Sequence, residues 1–249
     1  MATSSDRSSR GTAGSSSNFD RMIGVYGENG MTTTEPKGQF ATKFSARMAM
    51  NKLMLLVLVV FASGVAACFI KVPTFFVVVA MFAALGVGIW TSLRPQIAKK
   101  TAFIYSVLEG VVLGWFSNLM TAGNRGIVEI AIIGTAVIFF GVLAFYRTGL
   151  VKVTPRLVRT VGVATLGGVI AGFALVLFSW SIPSHSMLFV VVFGYIYLLL
   201  GTANLFVDFD YLNRAEEAGI DPDAEWYGAF MMLVSLVLVY MALLRILQR

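Results

Sequence analysis

LMLLVLVVFASGVAACFI (53–70) and TFFVVVAMFAALGVGIWTSL (74–93), separated only by Lys71, Val72 and Pro73, decide the fold class. Both stretches are uncharged, and each is close to the ~20 residues a helix needs to cross a hydrocarbon core of ~30 Å. Barrel strands would be about half as long and would alternate in polarity; these do neither. Five further apolar stretches follow, at 101–120, 127–146, 161–180, 186–207 and 226–247. Pro73, Pro95, Pro155, Pro183 and Pro222 fall in the gaps or at segment edges, where a missing backbone donor costs little. The gaps are short. The sequence therefore predicts an all-α, polytopic membrane protein, a bundle of seven transmembrane helices within 46–249.

Composition agrees. Hydrophobic residues make up 57 % of the 249, and the mean hydropathy is +0.81. Charged residues are 13 %, against about 25 % in soluble domains. A single cysteine, Cys68, excludes an intramolecular disulfide framework, and with one histidine, His185, no thiolate or histidine-rich metal centre can form. The net charge of +6 is spread between apolar runs instead of gathered in a patch, which argues against a nucleic-acid partner. The partner the sequence demands is the lipid bilayer.

Residues 1–45 form a polar tail that opens MATSSDRSSRGTAGSSSNFDRM, too poor in apolar surface to repay ordering; it is expected to be disordered. No hydrophobic core suited to a cleaved leader precedes residue 53. Lysine and arginine fix the orientation. The tail to residue 52 carries seven, the second gap Arg94, Lys99 and Lys100, and the fourth Arg147, Lys152, Arg156 and Arg159; Arg214 makes 15 on one side. Lys71, Arg125, Arg245 and Arg249 are the four on the other. The positive-inside rule then puts the amino terminus in the cytoplasm and, after seven crossings, the carboxy terminus outside.

Glycines four apart, Gly110/Gly114 and Gly168/Gly172, are expected to let helix backbones approach closely. Cys68 reads as a small buried hydrophobe, and His185 as an interfacial residue opening the sixth span. Trp90, Trp115, Trp180 and Trp226 fit an aromatic belt. No HExxH, GxSxG, GxGD or GxxxxGK[ST] motif occurs, so the chain is not read as an enzyme and no cofactor is expected.

Function is sought in the ionisable residues placed in or near hydrocarbon. An isolated charge at mid-membrane costs at least ~2.5–3.5 kcal/mol, so it usually faces a bundle interior, a partner or water. Four acids qualify: Glu109 in the third span, Asp208 and Asp210 at the end of the sixth, and Glu225 opening the seventh. All four are candidates for pore-lining or pH-sensing groups. Asp208 and Asp210 lie about 200° apart around a helix, so both can face one cavity only if the helix ends or unwinds there. Asp210 and Arg214 have the spacing of a surface ion pair. Asp208, one turn beyond Asn204, is the better candidate to point inward. A second carboxylate such as Glu225 beside Asp208 would make a coupled pair. Carboxylate oxygens from Asp208 and Asp210 would also suit transient binding of calcium. The segment 208–225, with seven acids and one arginine, reads as a solvated cytoplasmic loop.

AFIYSVLEGVVLGWFSN (102–118), GVLAFYRTGLVKVTPR (141–156) and the closing LFVDFDYLNRAEEAGIDPDAEWYGAF (205–230) resemble the Bax inhibitor-1 family, also called the YccA-like or transmembrane Bax-inhibitor-motif family, in a bacterial, actinobacterial-type branch. The resemblance runs from about residue 48 to the end. It implies a seven-helix bundle whose last helix is surrounded by the others, in a bacterial plasma membrane. It implies a pH-sensitive calcium leak in which calcium is the permeant ion, and in some bacterial relatives association with a membrane protease. The family's leak uses two aspartates, one late in the sixth helix and one in the seventh. The first matches Asp208 or Asp210; at the second this chain has Ser235, and MMLVSLVLVYMALLRIL (231–247) contains no acid. Two readings follow: a pH-sensitive cation leak, or a non-transporting regulator that modulates a membrane protease or stress response.

Overall fold

The computed structural model describes residues 43–70, 72–121, 125–149, 153–178 and 187–248. The tail to residue 42, Lys71, Lys152, Trp180, Pro183, His185 and Arg249 lie outside them. The described residues form seven α-helices: α1 (Ala46–Ile70), α2 (Thr74–Leu93), α3 (Ala98–Thr121), α4 (Arg125–Arg147), α5 (Pro155–Phe178), α6 (Met187–Ala218) and α7 (Ala224–Leu247). A 3₁₀ turn, Pro95–Ile97, joins α2 to α3. Over the described residues, six helices are long and apolar enough to cross a membrane. The protein is an all-α, multi-pass membrane protein.

Local chemistry sets the helix ends. Pro73 is extended (φ −61°, ψ 141°) just ahead of α2, and Pro95 occupies the first position of the 3₁₀ turn, where its missing N–H is not needed. Helix α6 stops at Gly219, whose φ of +61° only glycine adopts cheaply. There the Gly219 and Ile220 N–H groups donate back to the Glu216 and Ala215 carbonyls, a two-bond cap that stops the helix in one step.

The core is built around α7. Tyr227, Gly228, Ala229 and Phe230 are all buried in succession, and Met232, Leu233, Ser235, Val237, Val239, Ala242 and Leu244 extend burial to every face. A helix buried all round sits inside its bundle. Helix α7 packs against α6, α1, α4 and α3, whereas α2 rests chiefly on α3 and α5 chiefly on α6. Large apolar side chains cover the outside, with Phe69 84 % and Leu199 70 % exposed. Such surface suits hydrocarbon and not water.

Three expectations are corrected. The segment 208–225 is mostly helix, with only Gly219–Asp223 between α6 and α7, and Asp208 and Glu225 are buried, not solvated. The sixth span runs on to Ala218 because helix propagation stops at a backbone breaker, the first of which is Gly219, and not at a change of polarity. Cys68 is exposed, because it lies two residues from the end of α1, although its thiol still donates to the Gly114 carbonyl of α3 at 3.5 Å.

The tightest contact joins α1 to α3. A Cβ built on Gly114 would collide with the carbonyl oxygen of Gly64 and come within 2.9 Å of its Cα; one on Gly110 would strike Ser63 Oγ and the Val60 carbonyl. These glycines remove the side chains that would hold two backbones apart. Gly86 and Gly141 face open space. Gly114→Ala should therefore cost about 1–3 kcal/mol through overpacking, while Gly86→Ala stays neutral or better; thermal unfolding of the detergent-purified variants measures both.

Candidate functional site: a buried carboxylate between α6 and α7

Two stripes seven residues in period run along α6, so each stays on one face. Gly194, Gly201 and Asp208 face α7: a Cβ on Gly194 would lie 3.0 Å from Ile246, one on Gly201 2.8 Å from Val239, and Asp208 reaches Ser235. Tyr197 and Asn204 face α5. The Tyr197 hydroxyl donates to the Gly168 carbonyl, and Asn204 Nδ2 donates to Thr165 Oγ1 at 2.6 Å. Two small residues thus bring the helices together, and the third position of the stripe carries an acid.

Ser235 Oγ donates to Asp208 Oδ2 at 2.5 Å, and the two residues are only 3 % and 4 % exposed. Ser235 is the twelfth of the 24 residues of α7, so the pair sits halfway along the central helix. Among the described residues no lysine or arginine pairs with Asp208. A lone carboxyl at this depth, held by one hydroxyl, is costly in its charged form and readily carried in its neutral one.

The other candidate acids occupy separate places. Asp210 faces α4: it pairs with Arg214 at 2.8 Å and accepts from the Tyr146 hydroxyl at 3.5 Å. The same Arg214 donates to the Val153 carbonyl at 3.3 Å, ahead of α5. Glu225 pairs with Lys52 of α1 at 2.7 Å and accepts the Ser45 N–H at 2.9 Å, and the Lys52 ammonium lies 4.9 Å over the Trp226 ring. Ten residues, about 15 Å of helix, separate Glu225 from Ser235, so Glu225 is not the second member of a pair with Asp208. Glu109 is half-buried in α3, with Tyr105 one turn before it within hydrogen-bonding reach and Tyr105 edge-on to Phe230 at 5.2 Å.

No group of three or more metal-ligating side chains occurs among the described residues. Asp208 and Asp210 turn to different helices, and in this arrangement a calcium ion would meet one of them at a time. Residue spacing points to the Asp210–Arg214 pair. It does not point to Lys52 as the partner of Glu225, 173 residues away, nor to the Asn204–Thr165 contact, since neither leaves a local pattern.

Ser235→Ala should leave the Asp208 carboxyl without its donor and cost about 1–3 kcal/mol. Asp208→Asn keeps an acceptor for the hydroxyl and should cost less. In the double variant the serine change should cost clearly less than it does alone, a non-additivity that a double-mutant cycle of unfolding free energies reads directly.

The sequence comparisons agree with this architecture. The family described as Bax inhibitor 1 like matches residues 6–249. No protein of curated function matches the chain. With nearly its whole length matched, this chain belongs to the Bax inhibitor 1 like family of membrane proteins.

Proposed function

We propose that the protein is a pH-sensitive cation leak, with calcium as the permeant ion, in which proton exchange at Asp208 controls the contact between α6 and α7. The observation that carries this reading is the buried Asp208–Ser235 pair halfway along the central helix, with no lysine or arginine pairing with Asp208 among the described residues. A neutral Asp208 is compatible with its burial between the two helices. Its anion draws in water or a cation, because one hydroxyl is poor compensation for a buried charge. Protonation thus favours the closed packing, and deprotonation favours a wetted, conducting one. No nucleotide motif or coupling device is visible in the sequence, so flux follows the gradient. The bias of 15 basic residues against four supports a cytoplasmic amino terminus in a bacterial plasma membrane.

Calcium flux into liposomes carrying the purified protein, measured from acidic to neutral pH, tests the proposal. Wild type should pass more calcium as the pH rises. Asp208→Asn should hold flux low and flat, whereas Asp210→Asn and Glu109→Gln should keep the wild-type pH profile. Flux in Asp208→Asn that follows the wild-type profile would remove Asp208 as the sensor. No flux above empty liposomes, from demonstrably folded protein, would remove the leak altogether and favour a regulatory, non-transporting role.

A further inference from the structure

The residues just ahead of α1 are bound to the turn between α6 and α7 by an unusually complete set of contacts. The Phe44 N–H donates to the Ile220 carbonyl at 3.1 Å, and the Phe44 ring is buried, 2 % exposed, in the main core. The next two N–H groups, on Ser45 and Ala46, donate to the carboxylates of Glu225 and Glu216 at 2.9 and 3.3 Å. These amides begin α1, with the Ser45 carbonyl accepting from Ala49, so they are among the donors a helix start leaves without internal partners. Here they are satisfied by acids from two other helices, at the end where the helix dipole favours negative charge. Two turns into α1, Lys52 closes the ring on the second oxygen of Glu225. On the opposite side, Gly219 and its two-bond cap hold Ile220 in place to accept from Phe44.

Contacts within a bundle commonly link one helix to its neighbour. This cluster instead links the point where the polar tail enters the membrane domain to both helices that carry the Asp208–Ser235 pair. Glu225 is the hinge of the arrangement, because one carboxylate serves the strap and α1 at once.

We propose that residues 43–46 form a releasable latch that couples the start of α1 to the α6–α7 hairpin: when these residues lift, Glu225 and Glu216 lose their amide donors and the turn between α6 and α7 loosens with them. The latch works whether or not the protein conducts ions, and its test uses no flux.

Hydrogen exchange of the full-length protein in detergent or nanodiscs provides that test, with limited trypsin cleavage after Lys43 as a second readout. Lys43 is exposed, but its scissile bond is shielded because Phe44 is buried and its N–H is bonded. In wild type both 43–49 and 219–228 should exchange slowly and the Lys43–Phe44 bond should resist trypsin. Glu225→Gln and Lys52→Met should each raise exchange in both segments together and speed cleavage of that bond by about tenfold or more, which corresponds to about 1.4 kcal/mol. Glu216→Ala removes only the Ala46 contact at the surface and should give a smaller effect of the same kind, which keeps the test decisive if Glu225→Gln fails to fold. Faster exchange confined to 43–49, with 219–228 unchanged, would overturn the coupling. Unchanged exchange and cleavage in all folded variants would overturn the latch.

Discussion

Hydrocarbon supplies no hydrogen bonds, so each polar group buried in this bundle must be satisfied by another part of the same bundle. The arrangement of the acids follows from that constraint. Asp210 has an arginine one turn away, Glu225 has a lysine and an amide, and Glu109 has a tyrosine within reach. Among the described residues, Asp208 is held by the Ser235 hydroxyl. Asp210 and Glu225 are matched to cations, whereas Glu109 and Asp208, the latter set against the midpoint of α7, have hydroxyls.

Close backbone packing is the second half of the same logic. Glycines at 64, 110 and 114 let α1 and α3 touch, and Gly194 and Gly201 bring α6 onto α7. The apolar effect that drives soluble cores is absent between helices in lipid, so contact area and hydrogen bonds must supply the attraction. The Asp208–Ser235 bond can form only because two small residues on the same stripe of α6 have already set the distance between the axes.

Much of this was legible in the sequence, and the boundary of legibility is physical. Hydropathy and proline positions place the seven helices, because crossing a bilayer demands a minimum apolar length. Helical periodicity turns Asp208 and Asp210 to different faces and joins Asp210 to Arg214, because both are consequences of 3.6 residues per turn. The length of α6 is misread if a run of charge is taken as the end of a helix; charged residues propagate a helix well, and Gly219 is what ends it. The exposure of Cys68 and the partners of Glu225 depend on which helices are neighbours, and neighbours in space are not encoded by local spacing. Ser235 is the instructive middle case: alignment of the closing residues singles it out, but only the packing of α6 on α7 shows that its hydroxyl meets the acid.

The central position of α7 has a consequence for biogenesis. Helices leave the ribosome in chain order, and this one follows the six others. The contacts among α1, α2 and α3 can form early, since they need nothing made later. The centre cannot. Until α7 arrives, α1, α3, α4 and α6 present to lipid, or to one another, the faces that will finally enclose it. Assembly is therefore a closing of prefabricated walls around a late-arriving axle, and a nascent chain stalled before residue 224 holds walls with nothing between them. Quality control in the membrane has a simple signature to recognise there: surfaces shaped for a helix that has not yet been made.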